Sequence, residues 1–263
     1  MNETATFRIT SHPNCKINLG LHIVGKRPDG YHNLETLFVP VLDLCDTLTI
    51  ESTSSPTTSM QQDGIVLDNA PDDNLCMKAY RILQHDFNLP PVHIQLTKHI
   101  PFGAGLGGGS SDAAFTLKML NEQFCLNLST PKLKDYAVRL GADCAFFIDN
   151  RPAYATGIGD LLEPITLDLS PYHIVIEIPP DEHISTREAY AGLLLQGGTR
   201  PDLRQTVLQP IAQWRDTIVN DFEASVFPAH PAVARLKAQM YRRGALYASM
   251  TGSGAAVFGL FPA

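Results

Sequence analysis

The chain has 263 residues, with 20 Lys and Arg against 27 Asp and Glu, a net charge of −7. Its 44% hydrophobic and 18% charged residues suit a folded chain, long enough for one large or two modest domains. No basic block is present to displace counterions from a phosphate backbone, which disfavours nucleic acid as a partner. No apolar run approaches the ~18 residues of a membrane-spanning helix. Met1-Asn2-Glu3-Thr4 lacks the basic flank and apolar core of a secretory signal. The expectation is a cytoplasmic enzyme or small-molecule binder with no membrane partner.

The five cysteines, at 15, 45, 76, 125 and 144, form no CxxC pair. Their odd count and wide spacing argue against a disulfide framework or a zinc site, and for small buried residues in a reducing compartment. The nine histidines form no HExxH pair.

In chain order, Cys15 to Val24 alternates in part, as a half-buried strand does. Gly25 to Gly30 carries turn chemistry, with Pro28 fixing φ and Asp29-Gly30 supplying a tight reversal. Strands follow at Thr36 to Leu44 and Thr47 to Glu51, then an exposed Ser/Thr-rich loop from Ser52 to Ser59. Asp72-Asp73-Asn74 can cap a helix to about Phe87, with Leu75, Ala79, Ile82 and Leu83 on one face. Val92, Ile94 and Leu96 mark another strand, and a helix is predicted from about Ser110 to Phe124. Thr130-Pro131 starts the next helix and Gly141 ends it, before a short buried strand at Ala145 to Ile148. A composition shift at Asn150-Arg151-Pro152 divides the chain into domains at 1–152 and 153–263. Beyond it come a strand at Tyr172 to Ile178, a helix from Ser185 to Leu195, a less readable stretch to about Asn220, and a helix from Pro231 to Arg243. Strands at Leu246 to Ser249 and Ala256 to Phe261 close a mixed pattern of α+β class.

The most informative stretch is Pro101-Phe102-Gly103-Ala104-Gly105-Leu106-Gly107-Gly108-Gly109-Ser110-Ser111, with five glycines in seven positions. So many glycines cost conformational entropy, and they make sense where backbone amides must approach a ligand closely. The serines open a helix whose first amides and positive dipole end attract an anion. Three readings stand. One is a flexible loop before a Ser-capped helix, which leaves the glycines unexplained. A dinucleotide fold is the second, since Gly103, Gly105 and Gly108 satisfy GxGxxG; its acidic residue about 20 positions on is missing, with Leu126-Asn127-Leu128-Ser129 there instead. A triphosphate loop other than a P-loop is the third, for GxxxxGK[ST], HRD and DFG are all absent.

Pro101 to Ala114 resembles the phosphate-binding motif of the GHMP small-molecule kinases, and its form GLGGGSSDAA resembles one branch of them. Pro13-Asn14-Cys15-Lys16-Ile17-Asn18-Leu19 with Asp29-Gly30-Tyr31-His32 is similar to that branch's N-terminal signature, with Cys15 where alanine is expected. Thr251-Gly252-Ser253-Gly254-Ala255-Ala256-Val257-Phe258 is similar to the family's C-terminal glycine motif, although the chain stops soon after it. The resemblance runs from about residue 7 to 261. It implies a two-domain fold, a ribosomal S5 domain 2-like N-terminal part and a ferredoxin-like C-terminal part, with the active site in the cleft between them.

For this branch it implies transfer of the γ-phosphate of ATP, with Mg²⁺, to a hydroxyl of a cytidine diphosphate-linked methylerythritol of the non-mevalonate isoprenoid pathway. By resemblance Asp143 is the catalytic base, with Lys16 beside it to keep it ionised and to stabilise the alkoxide. Taken alone, an Asp after Gly-Ala is commonly a turn or cap residue and a strand Lys commonly faces solvent. Tyr31 and His32 are expected to take the cytosine, Tyr190 to be a second stacking partner with Thr186 nearby, and Asn18 to hydrogen-bond the substrate. For Tyr190 core packing is the plain alternative. Asn74 and Lys98 match positions lining the adenine pocket of relatives. No carboxylate pair marks the Mg²⁺ ligands. Two other functions compete: a kinase of the same family acting on another acidic alcohol such as phosphomevalonate, and a catalytically inactive nucleotide-binding regulator.

Overall fold

Strict alternation from Val92 to Lys98 produces a strand whose even positions are buried and whose odd positions are half-exposed. Around it the computed structural model, which describes residues 6–65, 71–193 and 200–263, builds two compact units. The first comprises Met1–Cys15, Leu42–Phe102 and Gly107–Asn150, and the second Lys16–Val41, Gly103–Leu106 and Arg151–Ala263.

The first unit holds a four-stranded sheet of β1 (Arg8–Ser11), β4 (Thr47–Ser52), β6 (Val92–Lys98) and β5 (Ser59–Gly64), in that order. β5 runs parallel to β6, and the other pairs are antiparallel. Helices α1 (Leu75–Phe87), α2 (Gly108–Gln123), α3 (Thr130–Leu140) and α4 (Cys144–Asp149) pack against one another. Asn74 caps α1 as its sequence predicts, its side chain accepting the Cys76 N–H at 2.9 Å. The buried face of α1 is Cys76, Met77, Ala79, Tyr80 and Leu83, leaving Leu75 and Ile82 half-buried at its margin.

One expectation is overturned here. Ala145 to Ile148 is not a strand but the body of α4. All four residues are buried, so the run carries no polar position from which a period could be read, and length alone does not separate a short strand from a single buried helical turn. The strands β1 and β5, short and largely polar, gave no signal either.

The second unit contains two sheets. One is β2 (Asn14–Lys26), β3 (His32–Cys45), β7 (Ala153–Thr156) and β8 (Leu161–Pro164), with β3·β7 and β7·β8 antiparallel; the other is β10 (Tyr247–Met250), β11 (Val257–Pro262) and β9 (Tyr172–Glu177), paired antiparallel throughout. Its helices are α5 (Thr186–Ala191), α6 (Leu203–Thr206), α7 (Trp214–Thr217), α8 (Phe222–Ala229) and α9 (Pro231–Arg242). The predicted end of α5 at Leu195 lies outside the described residues. Leu21, Ile23, Phe222, Val226, Val233, Met240 and Val257 form the centre of this unit's core.

The partial alternation of β2 suggested one wet face, yet Asn14 to Ile23 are all buried. Asn14, Lys16 and Asn18 spend their side chains on internal hydrogen bonds instead, while the buried His22 keeps an Nδ1 without a hydrogen-bond partner. The cysteines also depart from expectation: Cys15, Cys76 and Cys144 are buried, but Cys45 is half-buried and Cys125 exposed. Among the described residues no helix is long and apolar enough to cross a membrane.

Candidate active site

The glycine-rich stretch winds through left-handed backbone at Gly103, Gly105 and Gly107, with φ of +68°, +81° and +70°. Gly105 admits no side chain: a Cβ there would lie 2.1 Å from the carbonyl oxygen of Thr251. Gly107 caps α2 in the same left-handed conformation, and the first helical bond runs from the Ser111 N–H to its carbonyl at 2.9 Å. The amides of Gly108, Gly109 and Ser110 therefore come before any helical acceptor, as donors at the positive end of a 16-residue helix. Ser110 is half-buried, whereas Ser111 is wholly buried and its Oγ has no hydrogen-bond partner. Of the two predicted hydroxyls, that of Ser111 is enclosed. Phe102 is 72% exposed.

The C-terminal glycine block backs the first half of this loop. The Ala256 N–H donates to the Ala104 carbonyl at 3.2 Å, and Gly252 passes so close that a Cβ on it would meet the Cα of Gly105 at 2.9 Å.

Lys16 is 3% exposed, so it does not face solvent. Its Nζ donates to Asn18 Oδ1 at 2.6 Å and to the Gly105 carbonyl at 3.0 Å, and sits 5.0 Å from the centre of the Phe38 ring. Asn18 is equally committed. Its Nδ2 donates to Thr36 Oγ1 at 3.0 Å, its backbone N–H donates to Thr251 Oγ1 at 2.9 Å, and its Oδ1 also accepts from Thr251 at 3.3 Å. Asn18 thus aims Lys16 from behind. Thr36 and Thr251 belong to this network, and only Thr251 carried a sequence signal, through its glycine block.

Asp143 is half-buried at the N-cap position of α4, and Gly141 and Ala142 turn the chain out of α3 just before it. Its carbonyl accepts the Phe146 N–H at 3.2 Å, so the helix begins at the residue that the resemblance names as base. The next residue, Cys144, is hydrogen-bonded to Ser110, and burial pushes its thiol up to about 11. It is a neutral group joining the start of α4 to the start of α2.

Asn74 and Lys98 are both turned inward. Besides capping α1, Asn74 donates to Gln62 Oε1 at 3.2 Å. Lys98 is 2% exposed, and its ammonium bonds Asp46 and, at 2.7 Å, Asp112 Oδ2. Burial works against this ammonium, yet the two carboxylates outweigh it and raise its pKa. Burial likewise raises the Asp112 carboxyl, to about 7 despite Lys98, and its Oδ1 has no hydrogen-bond partner. Asp46 carries no sequence signal, and Asp112 lies in the serine motif itself.

Tyr31 stands 61% exposed on the tight turn predicted for Asp29-Gly30. The Asp29 carboxylate accepts the Tyr31 N–H at 3.1 Å and pairs with Arg27, which fixes the turn. The adjacent His32 ring stacks on Tyr190, with centroids 4.6 Å apart and planes 21° apart. Tyr190 also packs on the core cluster, as the plain alternative expects. Thr186, at the start of α5, lies 3.4 Å from the Ser253 hydroxyl. The second unit thus gathers an exposed phenol, an imidazole and a second phenol, a set suited to an aromatic, polar-edged ring.

Residues 74–151 match the GHMP kinases N terminal domain, and residues 202–263 match GHMP kinases C terminal. The 4-diphosphocytidyl-2-C-methyl-D-erythritol kinase of Bacteroides thetaiotaomicron is 53% identical, covering 95% of this chain and 90% of its own. The chain belongs to this family of GHMP kinases. A 4-diphosphocytidyl-2-C-methyl-D-erythritol kinase from Porphyromonas gingivalis is 50% identical over 95% of this chain and 90% of its own. The crystal structure of a 4-(cytidine 5'-diphospho)-2C-methyl-D-erythritol kinase superimposes with a TM-score of 0.80 at 31% identity, over 96% of this chain and 90% of that one. Homoserine kinase from Cytophaga hutchinsonii gives a TM-score of 0.73 at 14% identity, over 100% of this chain and 87% of that one, a likeness of fold alone.

Proposed function

We propose that the protein transfers the γ-phosphate of ATP to the 2-hydroxyl of 4-diphosphocytidyl-2-C-methyl-D-erythritol, in the non-mevalonate isoprenoid pathway of the cytoplasm. The observation that carries this reading is the run of left-handed glycines leading into the uncapped amides of α2, a cradle for a triphosphate. Residues 1–152 take the nucleotide and the reacting groups, and residues 153–263 complete the substrate site with Thr186 and Tyr190.

The substrate's 2-hydroxyl oxygen forms a bond to the γ-phosphorus while the bond from that phosphorus to the β,γ-bridging oxygen breaks, and ADP leaves. Asp143 receives the hydroxyl proton, and Lys16, held by Asn18 and Gly105, offsets the negative charge of the transfer. The amides of Gly108, Gly109 and Ser110 hold the phosphate oxygens. Tyr31 stacks on cytosine, and His32, kept in plane by Tyr190, reads its polar edge. Mg²⁺ accompanies the triphosphate and neutralises charge on its oxygens when bound. Among the described residues no cluster of three or more His, Cys, Asp and Glu could cage a metal, whereas the hydroxyl of half-buried Ser110 at the start of α2 is a hard oxygen donor that would fit an ion carried largely by phosphate.

ADP release measured with the cytidyl substrate and, separately, with phosphomevalonate tests the proposal. Turnover with the cytidyl substrate alone supports it. Turnover with phosphomevalonate alone assigns a different alcohol, and ATP binding without turnover on either assigns a regulator.

A further inference from the structure

Lys98 ends β6, three residues before the glycine-rich loop begins at Pro101. Its two carboxylate partners come from opposite sides of that loop. Asp46 precedes β4, and while one of its oxygens binds the Lys98 ammonium, the other accepts the backbone N–H groups of His99 at 2.6 Å and Ile100 at 2.8 Å. Those are the last two residues before the loop. Asp112 belongs to the early part of α2, directly after the loop, and takes the same ammonium at 2.7 Å. All three side chains are buried. A Cβ added to Gly108 would lie 3.3 Å from Lys98 Nζ and 2.8 Å from Ile100 Cγ2, so the ammonium sits directly under the first residue of α2.

An ammonium and two carboxyl groups are costly to take out of water, and apolar residues of similar volume commonly serve stability as well or better. Such a group repays its desolvation where it fixes a geometry, as buried polar residues do when they set register. The geometry within reach here is the separation of the two ends of the loop. We propose that Asp46, Lys98 and Asp112 form a clamp that sets this separation, making them positioning residues for the triphosphate that touch it only through the loop's amides. Lys98, matched by resemblance to an adenine-lining position, acts in this account from beneath the loop. The inference rests on the reading of the loop as a triphosphate cradle.

The test compares Asp112→Ala, Asp112→Asn and the triple variant Asp46→Asn/Lys98→Met/Asp112→Leu, in the full chain, by affinity for a non-hydrolysable ATP analogue, KM for each substrate and thermal midpoint. Asp112→Asn keeps an oxygen acceptor for the ammonium, and should bind the analogue within about twofold of the unaltered protein. Asp112→Ala should weaken analogue binding and raise KM for ATP about tenfold or more, with KM for the cytidyl substrate within about twofold. The triple variant removes all three ionisable groups together and keeps an amide oxygen at position 46 for the His99 and Ile100 N–H groups, so its thermal midpoint should recover while the loss in analogue affinity persists. If affinity recovers along with the midpoint, or if folded Asp112→Ala binds the analogue normally, the clamp is merely structural and the inference is wrong. An unaltered protein that does not bind the analogue would instead overturn the cradle itself, and the clamp with it.

Discussion

Tyr190 lies face to face with His32, 4.6 Å between ring centres, while it meets Phe222 in a T-shaped contact at 4.8 Å and 85°. One phenol thereby links a residue assigned to cytosine with the centre of a hydrophobic core. Such ring pairs contribute about 0.5–1.5 kcal/mol each beyond the area they bury. Tyr190→Ala should therefore lower the thermal midpoint and also raise KM for the cytidyl substrate, roughly tenfold, through a loosened His32. Tyr190→Phe keeps the rings and should leave both within about twofold of the starting values. Steady-state kinetics and thermal denaturation on the two variants check this.

Tyr31 separates binding from folding. Its ring is exposed and the turn beneath it is held by Asp29 and Arg27, so Tyr31→Ala should not shift the thermal midpoint. Losing a base stack of about 1–3 kcal/mol raises KM for the cytidyl substrate about 5- to 150-fold. KM for ATP should stay as it was. Equal losses for both substrates would contradict the assignment.

Two glycines of the loop should respond in opposite ways. At Gly105 a methyl group would stand 2.1 Å from the Thr251 carbonyl, on a backbone with φ of +81°. Gly105→Ala should destabilise by about 1–3 kcal/mol or more and displace the carbonyl that receives Lys16. At Gly109 a Cβ meets only Leu75 Cδ1, at 3.8 Å, in the helical conformation of α2. Gly109→Ala should hold or raise stability, by up to about 1 kcal/mol. Denaturant midpoints of the pair distinguish them.

His230 gives the protein a pH-dependent tie. Its Nδ1 faces Glu182 at 2.5 Å and its Nε2 faces Glu188, on α5, at 2.9 Å. Hydrogen bonds to Glu188 and Glu182 raise the pKa of this imidazole against the effect of burial. Raised above its unfolded value, it contributes stability that is complete below about pH 6.5 and is lost as pH rises through the folded pKa. The stability difference between the unaltered protein and His230→Gln should be greatest near about pH 6 and shrink as pH rises through the raised pKa of the imidazole. A difference that grew with pH would contradict the charged bridge.

What the sequence disclosed followed from local physics. Asn74 ahead of Leu75, Pro131 in a first turn and the alternation of Val92 to Lys98 each state their element without help from elsewhere in the chain. The loop was legible because five glycines make no sense unless something must come near. What stayed hidden depends on partners remote in sequence. Nothing around Lys16 tells that Asn18 and Gly105 enclose it, and nothing around Asp46 tells that Lys98 lies against it. A polar residue in a half-alternating strand reads as solvated until its buried acceptors are known. Ala145 to Ile148 reads as a strand for a related reason: a uniformly buried turn shows no period.

The central claim is that Asp143 takes the proton of a cytidyl-linked alcohol as ATP's terminal phosphate moves onto it. Phosphorus NMR of the protein turning over ATP with 4-diphosphocytidyl-2-C-methyl-D-erythritol, set beside Asp143→Asn, tests this most directly. The account predicts a new phosphomonoester at the 2-hydroxyl, formed about 10²- to 10⁴-fold more slowly by the variant, with unchanged affinity for an ATP analogue. A different phosphorylated product, or an Asp143→Asn variant that forms the same ester at the normal rate, would contradict it.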